Sequence, residues 1–470
     1  STRRLRSAAG AFAGSDPRLI SRAWSGIALG LIVVGYLALA SLYAIRVPIW
    51  NAPDEPAHYN FVHSIAIDGR LPILVPGDYD QKLLEHLTTV KFPPQESIAS
   101  LRYESHQPPL YYLVAAPALV VTRGASLQTQ VVALRLVTVI IGALFVLTVY
   151  RIARYVFPNS TALPLGAAAF VAFIPMHLFM DAAIDNDALA ELMLGNVLII
   201  VLDDLDKRGD PSNDIRAGIG IGLAVLTKLV AALSIPLVVI GFLASAYLAS
   251  DRNQAARELP KRLIRAGVVA ALISGWWVVR NLFVYGITDP FGLRRHAEVV
   301  VGQPETGLLT VALARQMILT AFHSFWGQFG WMGIPYSDRT YDVLATVSTL
   351  IALGAILFLW RMIRGDQIDR DPAPLVNCQR GPRRIAVGIL LAEAILVVVG
   401  IVFYNAQYLQ PQGRYLFPTL PAGAVLTVGG IGELFRERYV GLIVGLGAVA
   451  LFGFGLWSLF SVVGPGFAGS

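Results

Sequence analysis

Apolar runs long enough to cross a bilayer dominate the pattern of the chain. About 20 consecutive apolar residues are what a helix needs to span the hydrocarbon core. Such runs recur eleven times, near residues 24–45, 131–150, 162–180, 187–203, 215–229, 231–249, 266–285, 341–360, 385–404, 415–434 and 440–462. Because the runs near 187, 215 and 231 are short or closely spaced, the expected number lies between ten and thirteen. The pattern predicts an all-α polytopic membrane protein with about eleven transmembrane helices.

Two further apolar stretches are not predicted to span. The stretch 108–121 (PPLYYLVAAPALVV) is short and flanked by prolines, which favours a re-entrant or interfacial helix. The stretch 307–333 is ambiguous in the same way, and we place it outside the membrane core. The chain up to residue 285 then contains seven spans.

The polar segment 46–130, between the first two spans, has helical periodicity of its own. In HYNFVHSIAIDG, Phe61 and Ile65 recur at helical spacing and Gly69 provides a stop. In DYDQKLLEHLTTV, Leu83 and Leu87 lie on one side. Both stretches predict amphipathic helices that lie along the membrane surface and form the wall of a cavity above the spans.

Composition and charge set the orientation. Hydrophobic residues make up 55% of the 470 residues and charged residues 14%, whereas soluble domains carry about 25% charge. With a cytoplasmic N-terminus, 23 of the 37 Lys and Arg fall in segments 1–24, 151–161, 204–216, 250–265, 361–384 and 435–439. Cytoplasmic loops carry such an excess. The net charge of +6 therefore needs no nucleic-acid partner, since no basic patch is interleaved with aromatic residues.

The chain divides into three regions. Residues 1–285 hold the first seven spans and the loop 46–130, residues 286–340 form an exterior segment, and residues 341–470 hold the C-terminal spans. LALAS (37–41) is like a signal-peptide cleavage site, but the apolar run continues past it, so we interpret the first span as an anchor. The lone Cys378 lies in a charged cytoplasmic linker and cannot form an intrachain disulfide.

The first candidate for chemistry is the acidic pair Asp54 and Glu55, directly after the first span. Pro53 and Pro56 flank the pair and restrict the local backbone. The alternative is a pair of interfacial surface charges that cap the helix beginning near Pro56. His58 follows on the same helix.

Two more polar groups are predicted at the same membrane face. His106 and Gln107 precede a double proline, where the alternative is a turn before an interfacial helix with belt tyrosines. Asp185 and Asp187 follow the third span, close to Asp181, and the alternative is capping of the next helix by Asp185 or Asn186. Charge is costly at this depth, so several acids there indicate a polar cavity.

Three cations are expected at the same face. Lys228 stands between two closely spaced spans, Arg280 near the end of another, and Arg414 in the loop 404–422 with Gln412 and Tyr415. Arg414 suits a phosphate oxygen by bidentate donation. The alternatives are a snorkelling lysine and an interfacial anchor. Acids that activate a nucleophile or hold a divalent cation, together with phosphate-binding cations, favour transfer from a lipid phosphate.

These motifs resemble the GT-C superfamily of integral-membrane glycosyltransferases. The resemblance rests on the DE pair after the first span, the surface helices, QPPLYY and the second acid after the third span. It is nearest to the protein O-mannosyltransferases and the lipid A aminoarabinose transferases. FWGQFGWMGIPY (325–336) and QGRYLFP (412–418) resemble, more narrowly, a group of bacterial membrane proteins of this kind.

The resemblance implies transfer of a sugar from a polyprenyl-phosphate carrier to an acceptor hydroxyl of a protein, lipid or glycan. The reaction would take place on the exterior face of the bacterial cytoplasmic membrane. By carry-over, Asp54 matches the catalytic base, Glu55 its neighbour, and Asp185 or Asp187 the second acid. Direct displacement by one base would invert the anomeric configuration. Some relatives use a divalent cation, Mg or Mn, which Asp54 and Asp185 would hold if it is present.

The remaining site residues follow from the same resemblance. Arg414, Lys228 and Arg280 are candidates for the carrier phosphate, with Arg414 preferred. Substrate contacts are expected from His58, His106, Gln107, Gln412 and Tyr415.

Two rival functions fit the same charged face. A transporter or flippase of a lipid-linked or anionic substrate would place charges at mid-membrane and show inverted repeats, and we find neither in the sequence. A catalytically inactive accessory subunit would keep Asp54 without activity.

Overall fold

The computed structural model describes residues 17–308, 310–364 and 380–468. Eight of the helical segments that it describes are long and apolar enough to cross a membrane. They are Trp24–Arg46, Leu127–Val156, Leu229–Leu248, Arg252–Tyr285, Asp338–Arg364, Gly381–Asn405, Gly413–Leu434 and Glu437–Ala468. The chain is thus an all-α integral membrane protein, as predicted.

In the part of the chain that the structure describes, twelve helices make up the bundle. In chain order they are α1 (Pro17–Arg46), α5 (Leu127–Val156), α6 (Ala162–Phe173), α7 (Pro175–Asp181), α8 (Asp187–Asp206), α9 (Pro211–Val225), α10 (Ser234–Leu248), α11 (Arg252–Tyr285), α14 (Asp338–Arg364), α15 (Arg380–Asn405), α16 (Leu420–Leu434) and α17 (Glu437–Trp457). All eleven predicted spans are helical. The predicted spans near 187 and 215 are not among the eight helices that are long and apolar enough to cross a membrane. The reason is that α8 has acidic residues at both ends and that α9 has only 15 residues. A count of about eleven is consistent with this structure.

Shorter elements collect at one end of the bundle, which we call the site end. They are α2 (Glu55–Ala66), α3 (Gln81–Thr89), α4 (Leu110–Thr122), α12 (Leu293–Val299), α13 (Val311–Trp326), α18 (Gly464–Ala468), the 3₁₀ turns Tyr103–His106, Leu229–Leu233 and Gly413–Thr419, and the π turn Ser458–Val463. A hairpin of β1 (Gln328–Phe329) and β2 (Ile334–Pro335) follows α13, with Gln328 opposite Pro335.

The amphipathic helices predicted between the first two spans are confirmed. Asp80 is the N-cap of helix α3, and its carboxylate accepts hydrogen bonds from the backbone amides of Lys82 and Leu83. Helix α4 corresponds to the apolar stretch 108–121. It has 13 residues, which at about 1.5 Å of rise per residue is too short to cross the bilayer core.

The third span is bent by 64° where α6 gives way to α7. Pro175 cannot donate the helical hydrogen bond that the Val171 carbonyl would otherwise receive. His177 Nδ1–H donates to this carbonyl instead, at 3.1 Å. The bend brings the turn 182–186, and with it Asp185, to the site end.

A buried polar cluster fixes α7 below this turn. Tyr36 on α1 donates to Asp181 Oδ2 at 2.6 Å, and His177 Nε2 lies 3.0 Å from Glu191 Oε2 on α8. Gly142 on α5 leaves room for the cluster, because a Cβ there would lie 2.0 Å from Tyr36 Oη. Three bundle helices therefore position α7, and α7 positions Asp185.

Cys378 and the basic tail before residue 17 lie outside the described residues.

Candidate active site

Asp54 lies at the site end with a constrained backbone. It precedes α2 with φ of 65°, in the left-handed region, and its side chain makes no cap hydrogen bond to the helix. The capping alternative is therefore not what the structure shows. Its Oδ1 accepts from Tyr103 Oη at 2.9 Å and its Oδ2 from Arg414 Nη2 at 2.6 Å. Burial alone would raise the pKa of Asp54, but Arg414 outweighs burial and lowers it.

Arg414 joins the two acidic motifs. Its Nη1 lies 3.7 Å from Asp185 Oδ2, its Nε donates to Gln412 Oε1 at 2.7 Å, and its side chain is 7% exposed. A surface anchor would be exposed, so that alternative does not fit. The turn is held by Gly413, where a Cβ would lie 2.2 Å from Phe325 N. Only glycine allows this close approach of the Gly413–Thr419 turn to α13.

Asp185 is the more deeply buried of the two later acids. It is 2% exposed, and its Oδ1 accepts from the backbone amide of Asp187 at 2.9 Å. Its Oδ2 has no hydrogen-bond partner among the described residues. Burial, and then the charge of Asp187, raise the pKa of Asp185 to about 7. Asp187 itself is paired with Lys228, so this lysine does not snorkel freely.

The predicted histidines line the same region. His58 Nε2 lies 3.6 Å from Asp185 Oδ1, and its Nδ1 lies 2.8 Å from Tyr112 Oη. Burial lowers the pKa of His58. His106 Nδ1–H donates to the Tyr103 carbonyl at 3.1 Å, and burial lowers the pKa of His106 to about 4. Both imidazoles are therefore neutral near pH 7.

Glu55 has a different environment from Asp54. It is fully buried in a bidentate ion pair with Arg135, with Nε to Oε1 at 2.7 Å and Nη2 to Oε2 at 2.6 Å. It also accepts from the backbone amides of Trp50 and Ile184. Glu55 was expected to share the catalytic role, but its hydrogen bonds hold together the end of α1, the Asp54 loop and the turn that carries Asp185.

Other predicted residues lie around this centre. Arg280 is apart from the acids: its Nη2 donates to the Pro72 carbonyl at 2.6 Å and its guanidinium lies over the Trp277 ring. Gln107 is half-buried directly after the Tyr103–His106 turn. Tyr415 lies beside Arg414, and the centroid of the Tyr415 ring is 5.4 Å from Arg414 Cζ.

Several site residues were missed from the sequence. Tyr111 and Tyr112 were considered only as belt residues, yet both are fully buried, and Tyr111 Oη accepts from the Asp185 amide at 3.1 Å. Tyr103 had no distinguishing spacing. Arg135 did have a signal, because a charge inside a predicted span marks a functional or structural site by default.

Strained backbone surrounds Asp54. Six non-glycine residues of the described chain have positive φ, namely Trp50, Asp54, Lys91, Phe92, Trp331 and Met332. They come from three loops that contact one another. Trp331 Nε1 donates to the Trp50 carbonyl at 3.0 Å, and Asn51 Nδ2 to the Lys91 carbonyl at 3.4 Å. Such strain persists only where the surroundings hold it.

A divalent cation does not fit the described residues. Within ranges 17–308, 310–364 and 380–468, no group of three or more His, Cys, Asp or Glu side chains is arranged to hold one. The guanidinium of Arg414 already spans the gap between Asp54 and Asp185.

Solved structures of two other proteins align with this chain. Apo ArnT from Cupriavidus metallidurans aligns with a TM-score of 0.52 at 16% identity, over 93% of this chain and 65% of that one. ArnT bound to undecaprenyl phosphate aligns at 0.49 and 15%, over 95% and 74%. The apo oligosaccharyltransferase of Archaeoglobus fulgidus aligns at 0.47 and 15%, over 92% and 55%. The chain thus spans little more than half the length of that oligosaccharyltransferase.

At 16% identity the likeness to apo ArnT concerns the fold alone, and it confirms the GT-C resemblance at that level. No curated protein matches the sequence. A family model does match: DUF2142, described as a predicted membrane protein, covers residues 89–422, more than half of the chain. The chain therefore belongs to the DUF2142 family of membrane proteins, and it has the GT-C fold.

Proposed function

We propose that the chain is a membrane glycosyltransferase that moves a sugar from a polyprenyl-phosphate donor to an acceptor hydroxyl. The observation that carries the proposal is the position of Arg414 between Asp54 and Asp185. A carboxylate that can take a proton and a cation that can take a phosphate are thereby in direct contact. We further propose that the site end faces the exterior of the bacterial cytoplasmic membrane.

The donor phosphate is assigned to Arg414 and Lys228. Guanidinium binds phosphate oxygens through two parallel hydrogen bonds, and an ammonium adds a point charge. Together they stabilise the charge that develops on the departing phosphate, so the leaving group needs no proton. ArnT, which shares the fold, has been solved with undecaprenyl phosphate bound, and this motivates a polyprenyl phosphate as the carrier.

Asp54 acts as the general base on the acceptor hydroxyl. Its carboxylate is ionised near neutral pH because Arg414 lowers its pKa. A donor phosphate that competes for Arg414 would weaken this pairing and make Asp54 more basic. Donor binding would then activate the base. A positioned base contributes about 10²–10⁴-fold in rate, and direct attack on the anomeric carbon inverts its configuration.

We derive no step through a divalent cation, because the described residues do not fit one. Asp185 remains the second acid. Its proposed role is to orient Arg414, since its unpaired Oδ2 faces that guanidinium at 3.7 Å. Asp187 is in direct contact with Lys228, and its proposed role is to orient that lysine.

The first prediction tests the base. Asp54→Asn keeps the shape and removes the proton acceptor, so we expect transfer to fall at least about 100-fold while expression and membrane insertion stay normal. The measurement is transfer from a panel of radiolabelled polyprenyl-phosphate sugars into native membranes. Asp68→Asn, an exposed acid on the loop after α2, is the matched control. Equal transfer by Asp54→Asn and wild type would remove Asp54 as the base.

A further inference from the structure

Next to Arg414 lies a group of uncharged side chains, of which only Tyr415 was expected to contact the substrate. We call it the amide–phenol cluster and define it by its five members, Gln303, Tyr404, Tyr408, Gln410 and Tyr415. All five are half-buried, so they are ordered by packing and still reachable from solvent. The cluster comes from two segments about 100 residues apart in sequence.

Gln410 is the centre of the cluster. Its Oε1 accepts from Tyr415 Oη at 3.0 Å and from Tyr404 Oη at 3.3 Å, and its Nε2 donates to Gln303 Oε1 at 3.1 Å. An amide nitrogen has two hydrogens and a phenol oxygen can accept as well as donate. In the described part of the chain, one Gln410 amide hydrogen and the acceptor site of Tyr404 Oη are therefore left for a ligand.

The backbone beneath the cluster is fixed. Leu409 N donates to the Pro304 carbonyl at 2.9 Å, and Thr306 N to the Gln407 carbonyl at 3.1 Å, so the two segments are joined by an isolated antiparallel β-bridge between Glu305 and Tyr408. Asn405, which is buried, accepts from Gln410 N at 3.1 Å. Polar groups held in place before binding lose little entropy when a ligand arrives.

The chemistry of the cluster selects the class of ligand. It offers amide and hydroxyl groups and aromatic faces, with the Tyr404 and Tyr415 rings 5.9 Å apart at 84°. Its own members carry no formal charge, and Arg414 lies at its inner edge beside Tyr415. Such groups hydrogen-bond to hydroxyls and provide no counter-ion for an ammonium or a carboxylate.

We propose that the amide–phenol cluster binds the transferred sugar, and that this sugar is neutral and rich in hydroxyl groups. The inference rests on the proposed function, because the position beside Arg414 matters only if Arg414 holds the donor phosphate. The sugar subsite adds the class of the transferred sugar to the proposed function, and the acids and cations alone do not determine that class.

The test measures binding to the purified chain in nanodiscs, with four probes. They are bare polyprenyl phosphate and the same carrier bearing a neutral hexose, an amino sugar or a uronic acid. We expect the neutral hexose to bind about tenfold more tightly than the bare carrier, the gain of one to two net hydrogen bonds, and the charged sugars to show no gain.

Two variants test whether the gain in affinity from the hexose comes from the amide–phenol cluster. Gln410→Met keeps the length of the side chain and removes its hydrogen bonds, and Tyr404→Phe removes a single hydroxyl. Both are expected to abolish most of the gain from the hexose and to leave the affinity for bare carrier unchanged. Gln128→Met, at an exposed position near the start of α5 and away from the cluster, is the matched control and should keep the gain. Thermal unfolding of each variant reports whether it is folded.

The outcomes separate the two proposals. A hexose gain below twofold, a larger gain for a charged sugar, or a gain that survives in folded Gln410→Met and Tyr404→Phe would overturn the sugar subsite. Failure of bare carrier to bind, with a hexose gain that the two variants abolish, would overturn the phosphate site and leave the sugar subsite standing.

Discussion

Asp54 and Glu55 are neighbours in the chain, but their side chains have opposite environments. Asp54 is about one quarter exposed and shares Arg414 with the second acidic motif. Glu55 is fully buried and locked to Arg135, which also donates to the carbonyls of Ala44, Val47 and Pro48. The sequence shows that acids stand here between prolines. It does not show which acid faces a cavity, because that depends on Arg135, 80 residues further on.

This difference gives the second prediction. Glu55→Gln leaves the buried Arg135 without its counter-charge, so we expect it to lower the free energy of unfolding by about 3–5 kcal/mol. Asp54→Asn should change it much less. The double variant Glu55→Gln, Arg135→Met should recover part of the loss. Thermal unfolding of the purified protein measures all three. If Glu55→Gln unfolded at the wild-type temperature and still lost activity, a chemical role for Glu55 would be favoured.

At the scale of elements, hydrophobic periodicity was sufficient to place the helices. The eleven stretches predicted to span and the two predicted amphipathic stretches are all helical, because run length and three- to four-residue spacing determine where a helix forms. The bend between α6 and α7 was not predicted. Pro175 marks the position, but the bend is stabilised by His177 and Glu191, whose contacts come from tertiary packing. The same is true of Tyr111, which contacts α5 and the Asp185 turn, and of Tyr112, which packs against α2.

The third prediction concerns the packing of α5 against α1 and α7. Gly142→Ala places a methyl group on Tyr36 Oη and 2.5 Å from Asp181 Oδ2, so the pair must move. We expect a loss of about 1–3 kcal/mol in stability, with reduced transfer because α7 positions Asp185. Gly400→Ala on α15 has open space around its Cβ and should be near neutral. Unfolding temperatures of the two variants measure the difference, and equal values would contradict the role of the cluster.

At the scale of the whole molecule, the candidate site is assembled from distant parts of the chain. Asp54, Tyr103, Asp185, Lys228 and Arg414 all come from connections between helices at one end of the bundle. The uneven distribution of Lys and Arg along the sequence predicted which loops lie on the same side of the membrane. The contacts between these five residues agree with that grouping. The pairing of particular acids and cations could not be predicted, because any of them can reach a common cavity.

The fourth prediction is the orientation of that end. On a Cys378→Ser background, we expect Gln407→Cys at the site end to react with a membrane-impermeant maleimide in intact cells. Asn253→Cys, exposed near the start of α11 at the opposite end, should react only after the membrane is permeabilised. The reverse pattern of labelling would place the candidate site in the cytoplasm.

The left-handed backbone at Asp54 has a consequence for how the protein matures. Loops from positions 50, 91 and 331 must all meet before the unfavourable conformation at Asp54 is held. A nascent chain that has inserted only its first seven predicted spans, up to residue 285, lacks the loop that carries Trp331. It also lacks Arg414. Such an intermediate would be membrane-embedded but unable to hold its base in place. Competence for chemistry would then arise late in biogenesis, after the C-terminal helices have been inserted.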